Sequence, residues 1–199
     1  SVCNELGIDF IGFNFADVSP RKIKPSYAKR NNLSSYCGRV ERVAVFVDPS
    51  DSYIDESIKS INATYIQLHG KESIKRCYDI KSLFNLPIIK AFGVNNTKDL
   101  DNAILYEDIV DYYLFDTKPT NKDKGQKGGL NKVFNWEILN SWKGKDFFLA
   151  GGININNIQS AINDTNASCI DISSGVERML GVKDSYMIKE LYKEFKALV

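Results

Sequence analysis

An α/β fold built from parallel β/α units is predicted by three features of this sequence. Seven short runs rich in β-branched and aromatic residues recur at fairly even intervals, and most are followed by turn residues and then by a stretch with helical spacing. The runs, such as Val43-Ala44-Val45-Phe46-Val47 and Phe147-Phe148-Leu149-Ala150, are almost continuously hydrophobic. Strands of that kind are covered on both faces, so an antiparallel sandwich with one wetted face is disfavoured. Composition agrees: of 199 residues, 43% are hydrophobic and 26% charged, the proportions of one globular domain spanning 1–199.

Residues 1–6 read as the end of a helix, closed by the helix stop Leu6-Gly7-Ile8-Asp9, which leads directly into a strand at 10–15. Valine-rich and aromatic runs then give strands at 43–48, 65–69, 87–92 and 112–116. Apolar residues at helical spacing between them give helices at 53–61, 74–84 and 98–106. The stretch 117–132, crowded with Lys, Asn and Gly, reads as a long loop: either a solvated excursion or, from its place after a strand end, an active-site lid. Strands at 147–151 and 169–173 flank a helix at 157–162, and an amphipathic helix at 185–198 ends the chain. Closed barrels and open doubly wound sheets share these units, so periodicity alone leaves both open. A helix stop with no strand before it implies that one strand is missing ahead of Ser1. Seven visible strands plus that one make the eight of a (β/α)8 TIM barrel.

Lys and Arg number 26 against 25 for Asp and Glu, so the net charge gives no reason to expect nucleic acid or an anionic membrane as partner. A small molecule is the natural ligand. Cys3, Cys37, Cys77 and Cys169 show no C-x-x-C spacing, and His69 is the only histidine, so no familiar zinc site is formed and a reduced, cytoplasmic setting is expected. The first residues lack a basic segment followed by an apolar one, and no run approaches the ~20 apolar residues of a membrane span.

Polar residues gather at the predicted C-terminal strand ends, which in a barrel converge on one mouth. Gly151-Gly152 and Ser174-Gly175 follow the last two strands and offer backbone N–H groups that no side chain obstructs. A glycine pair alone is more often a tight turn. Two such sites after the last two strands, with a helix start near Asn157, favour phosphate. Asp116 ends the run Tyr112-Tyr113-Leu114-Phe115, where apolar neighbours favour the neutral, proton-donating carboxyl of a general acid; a loop cap or a lysine pair is the bland alternative. Arg21, behind Pro20, can grip a carboxylate in bidentate fashion or form a surface ion pair. His69 is assigned a positioning role, and the cysteines a packing one.

In order along the chain, Gly7-Ile8-Asp9-Phe10-Ile11-Gly12-Phe13-Asn14-Phe15 with Ser19-Pro20-Arg21, Gln67-Leu68-His69-Gly70-Lys71-Glu72, Leu149-Ala150-Gly151-Gly152-Ile153, and Asp171-Ile172-Ser173-Ser174-Gly175-Val176-Glu177 with Gly181-Val182-Lys183-Asp184 resemble successive signatures of the phosphoribosylanthranilate isomerases. The resemblance implies a cofactor-free Amadori rearrangement of N-(5-phosphoribosyl)anthranilate to 1-(2-carboxyphenylamino)-1-deoxyribulose 5-phosphate in tryptophan biosynthesis, with no metal, in a monomer or homodimer. It gives Asp116 the role of general acid and Arg21 the substrate carboxylate. Gly151, Gly152, Ser174 and Gly175 take the phosphate, while Gln67, His69 and Asp171 position the substrate. The family's general-base cysteine belongs to a first strand ahead of Ser1, and Cys3 falls on the first helix instead. Gly128-Gly129-Leu130-Asn131 and Leu180 depart from the family pattern. Two other readings stand beside this one: a related phosphosugar isomerase or lyase barrel of histidine or tryptophan synthesis, and a non-catalytic phosphosugar-binding barrel.

Overall fold

The computed structural model describes residues 1–118 and 133–199; beyond Lys118, the stretch read as a lid, with Gly128 to Asn131, lies outside the described residues. Contacts divide the chain into two compact units, Ser1–Lys90 with Asp108–Asp111, and Ala91–Glu107 with Tyr112–Val199.

In the first unit, helix α1 (Val2–Leu6) stops at Gly7, whose φ of 71° turns the chain into strand β1 (Phe10–Asn14). Helix α2 (Pro25–Arg30), strand β2 (Glu41–Phe46), helix α3 (Asp51–Ile61), strand β3 (Tyr65–Leu68), helix α4 (Ile74–Phe84) and the start of strand β4 (Ile88–Val94) follow. β1 pairs with β2, β2 with β3 and β3 with β4, each in parallel, with Phe13 opposite Ala44 and Val45 opposite Gln67. Ser50 and Ser73 cap α3 and α4 by accepting the N–H groups of Tyr53 and Arg76. The core here consists of Phe15, Phe46, Ile54, Ile66, Leu68 and Ile80, all fully buried, with the Phe15 and Phe46 rings stacked 5.8 Å apart.

In the second unit the rest of β4 leads through helix α5 (Thr97–Ile104) to strand β5 (Tyr112–Thr117), and a 3-10 turn, Trp136–Ser141, precedes strand β6 (Phe147–Leu149). Helix α6 (Ile158–Asn163), strand β7 (Cys169–Ile170), an antiparallel hairpin of β8 (Glu177–Met179) and β9 (Val182–Lys183), and helix α7 (Ser185–Leu198) complete it. Its core is aromatic: Trp142 packs edge-on at 4.7 Å from Tyr113 and 5.0 Å from Phe115, and Phe115 lies 5.2 Å from Phe147.

Strand order decides between the two architectures that periodicity leaves open. Within the first unit β1 to β4 are neighbours in chain order, and within the second β4 to β7 are too. A doubly wound sheet reverses its order at a switch point; this one does not, and the α/β fold is that of the (β/α) barrels.

All seven expected strands are present, with shifted ends. β2 begins two residues before the expected Val43, and β4 continues to Val94. β6 and β7 stop at Leu149 and Ile170, short of the expected Gly151 and Ser173, because the positive φ of Gly151 (91°) and the −80° ψ of Ser173 turn the chain away. Asp171 therefore lies past its strand and is exposed. Among the described residues no helix is long and apolar enough to cross a membrane.

Candidate active site

Every candidate residue lies at or just beyond the C-terminal end of a strand. In the first unit the chain after β1 folds back so that the Ile23 N–H donates to the Asn14 carbonyl (2.8 Å), and the Arg21 N–H donates to Ser19 Oγ (3.1 Å). That closed loop presents Arg21, half-buried. At the end of β3, Gln67 Nε2 and His69 Nδ1 lie 3.0 Å apart, an arrangement that ties the imidazole to a buried amide and suits positioning.

A buried ion pair lies in the same unit. Glu72 Oε2 is 3.2 Å from Lys90 Nζ, and the side chains are 1% and 3% exposed. The Lys90 ammonium also donates to the carbonyls of Leu68 (3.2 Å) and Gly70 (3.0 Å), while Glu72 accepts the N–H groups of Asp48 and Gly70. The pair thus joins the ends of β2 and β3 to the middle of β4.

In the second unit Asp116 Oδ1 accepts the N–H of Thr117 at 2.6 Å. Gly151 presses against the same two residues: a Cβ there would stand 2.6 Å from Asp116 Oδ1 and 2.5 Å from Thr117 Oγ1. Only glycine allows this approach, and only glycine readily takes its φ of 91°. One residue on, Lys118 Nζ is 2.7 Å from Asp99 Oδ1, anchoring the chain after β5.

The two glycine-bearing loops also meet. A Cβ on Gly175 would lie 2.1 Å from the Ile153 carbonyl oxygen, so Ser174-Gly175 packs directly on the loop after β6. That loop is shaped by two asparagines: Asn154 Nδ2 and Asn157 Nδ2 both donate to the Gly152 carbonyl (2.9 and 3.1 Å), and Asn157 Oδ1 accepts the Asn154 N–H (2.8 Å). Asp116, Gly151, Gly152, Ser174 and Gly175 therefore form one continuous feature within this unit.

The family profile for N-(5'-phosphoribosyl)anthranilate (PRA) isomerase matches residues 2–194. A relative of that name from Bradyrhizobium sp. (strain ORS 278) is 36% identical over 194 residues, covering 97% of this chain and 88% of its own. The chain belongs to the phosphoribosylanthranilate isomerase family. The family's solved structures agree: the Thermotoga maritima enzyme superposes with a TM-score of 0.84 at 34% identity, over 99% of this chain and 92% of that one. A phosphoribosylanthranilate isomerase crystallised with reduced 1-(o-carboxyphenylamino)-1-deoxyribulose 5-phosphate superposes with a TM-score of 0.81 at 32% identity, over the same shares.

Within this isomerase-family fold none of the four cysteines is joined in a disulfide. Burial pushes the thiols of Cys3 and Cys37 up and that of Cys77 up to about 11, so these three stay neutral near pH 7 and none supplies a thiolate. Cys77, fully buried in α4, is expected to remain unmodified by iodoacetamide until the protein unfolds, as peptide mass mapping of labelled native and urea-unfolded samples will show. Sequence reading passed over Asn154 and Thr117 and took Asn157 only as a helix start; the sequence trace of the two asparagines is their spacing after a glycine pair, which is that of side chains folding a turn.

Proposed function

We propose that this chain catalyses the Amadori rearrangement of N-(5-phosphoribosyl)anthranilate in tryptophan biosynthesis. The observation that carries the reading is the contact of Gly151 with Asp116, which joins a proton-donating carboxyl to a loop able to hold phosphate. Backbone N–H groups of Gly151, Gly152, Ser174 and Gly175 bind the 5-phosphate. Arg21 pairs with the anthranilate carboxylate, and Gln67, His69 and Asp171 position the ring. The Asp116 carboxyl gives its proton to the furanose ring oxygen as the C1–O bond breaks, and the amine lone pair forms the C1=N bond of a Schiff base. Loss of the C2 proton to a base returns those electrons to nitrogen, and the resulting enol tautomerises to the 2-ketone as C1 takes up a proton. No external electron carrier enters. Burial raises the thiols of Cys3, Cys37 and Cys77, which speaks against these three as the base.

This reading treats 1–199 as one (β/α) barrel domain of a cytoplasmic enzyme, a monomer or a homodimer. Its test uses the full-length gene product and two variants. Asp116→Asn is expected to lower kcat by roughly 100-fold or more, the weight of a positioned general acid, while binding of the reduced deoxyribulose phosphate analogue stays within about threefold. Arg21→Ala should instead weaken that binding by roughly tenfold or more, as loss of a bidentate charged contact does. Turnover near wild type in Asp116→Asn would remove the acid from the scheme.

A further inference from the structure

We propose that Lys183 and Glu177 form a strap that holds the Ser173-Ser174-Gly175 turn in shape for a phosphate monoester, which makes Lys183 a positioning residue of the phosphate site. The inference rests on the isomerase reading above and adds residues that it leaves unused.

Lys183 lies on β9 directly opposite Glu177 on β8. Its Nζ is 2.9 Å from Glu177 Oε1, 2.7 Å from the Ser173 carbonyl oxygen and 3.0 Å from Ser173 Oγ. An ammonium has three N–H donors, and three acceptors surround this one. Ser173 immediately precedes the 3-10 turn Ser174–Val176 and Glu177 immediately follows it, so one side chain bridges both ends of the turn. The Asp184 N–H, donating to the Val176 carbonyl at 2.8 Å, adds a second tie from the same hairpin. On its other side the turn bears on Ile153 through Gly175. Ser174 and Gly175 are thus held between the strap and the loop after β6.

An exposed Lys–Glu pair is ordinarily worth almost nothing. This pair is asymmetric: the Lys183 side chain is 42% exposed and the Glu177 side chain only 5%. A largely buried carboxylate beside an anion-binding turn repels a phosphate unless its charge is neutralised where it stands. Removing Lys183 therefore does two things at the phosphate end of the ligand. It frees the turn, and it takes a cation away from beside the Glu177 carboxylate.

The test is titration of wild type, Lys183→Met, Lys183→Arg and Lys183→Met/Glu177→Gln with the reduced deoxyribulose phosphate analogue and with its desphospho counterpart, alongside KM, kcat and thermal melting. Lys183→Met is expected to weaken the phosphorylated ligand roughly tenfold, the size of one charge-assisted hydrogen bond, and to leave the desphospho ligand unchanged. KM should rise with it while kcat stays within about twofold, the pattern of lost uniform binding. Lys183→Arg and the double variant should both recover most of the affinity. Unchanged affinity in Lys183→Met overturns the strap, and so does an equal loss for both ligands. Wild type that binds neither ligand would instead overturn the isomerase reading itself.

Discussion

Replacing Gly151 with alanine is expected to lower turnover by roughly 100-fold, the penalty of moving a reacting group by about an ångström, while the protein still folds. The new methyl carbon would stand 2.5 Å from Thr117 Oγ1, 2.6 Å from Asp116 Oδ1 and 2.7 Å from the Thr117 nitrogen, all closer than atoms tolerate; all three belong to the last two residues of β5, and the nitrogen is backbone that cannot swing aside freely. The carboxyl must turn or the loop must lift, and either change moves the Asp116 carboxyl away from the Gly151-Gly152 loop. Backbone strain adds about 1 kcal/mol, because alanine at a φ of 91° is disfavoured. Gly181→Ala isolates the clash from the strain. Its φ is 79° and no atom lies within 4 Å of its would-be Cβ, so it should lose similar stability and keep its turnover. Steady-state kinetics and melting curves on both variants decide the matter. Full activity in Gly151→Ala would show that Asp116 does not depend on this glycine for its place.

Two of the capped helices were readable to the residue, while α3 and α5, capped by Ser50 and Asn96, begin earlier than the expected 53 and 98. The expected spans 74–84 and 185–198 coincide with α4 and α7, each preceded by a side chain that closes its first turn: Ser73 on the Arg76 N–H, and Asp184 on those of Tyr186 and Met187. Strand ends were less so, because hydrophobicity continues past the hydrogen-bonded ladder. Ala150 is buried although β6 ends at Leu149. Elements without an apolar period left no trace: α2 buries only Pro25 and Ala28, and the β8–β9 hairpin carries the exposed Met179. Each is held by its surroundings rather than by its own propensity.

The candidate site divides in the same way. Residue types at strand ends could be picked out one at a time, since a carboxylate after Phe115 or a glycine pair after Ala150 interrupts an apolar run. The contacts that give them meaning join residues far apart in sequence. That Gly151 serves as a spacer for Asp116, or that Lys183 reaches Ser173, depends on which loops the fold brings side by side.

Lys90 is the sharpest case of a signal that only a structure can interpret. A lysine within Ile88-Ile89-Lys90-Ala91 must either point outward or find a buried partner, and here the partner is Glu72. Lys90→Met is expected to destabilise the protein by about 3–5 kcal/mol, because it leaves the Glu72 carboxylate 1% exposed and without its cation. For a chain of this size that is a fall in Tm of roughly 10 °C. Lys90→Met/Glu72→Gln should be markedly more stable than Lys90→Met, since the amide oxygen can still accept the Asp48 and Gly70 N–H groups and no buried charge remains. Urea unfolding of the two variants measures the difference directly. The same pair holds the Gly70 carbonyl beside His69, so the double variant should regain stability without regaining full affinity for the reduced analogue. A double variant no more stable than Lys90→Met would mean that the lost Lys90 contacts to Leu68 and Gly70, and not the stranded carboxylate, set the cost.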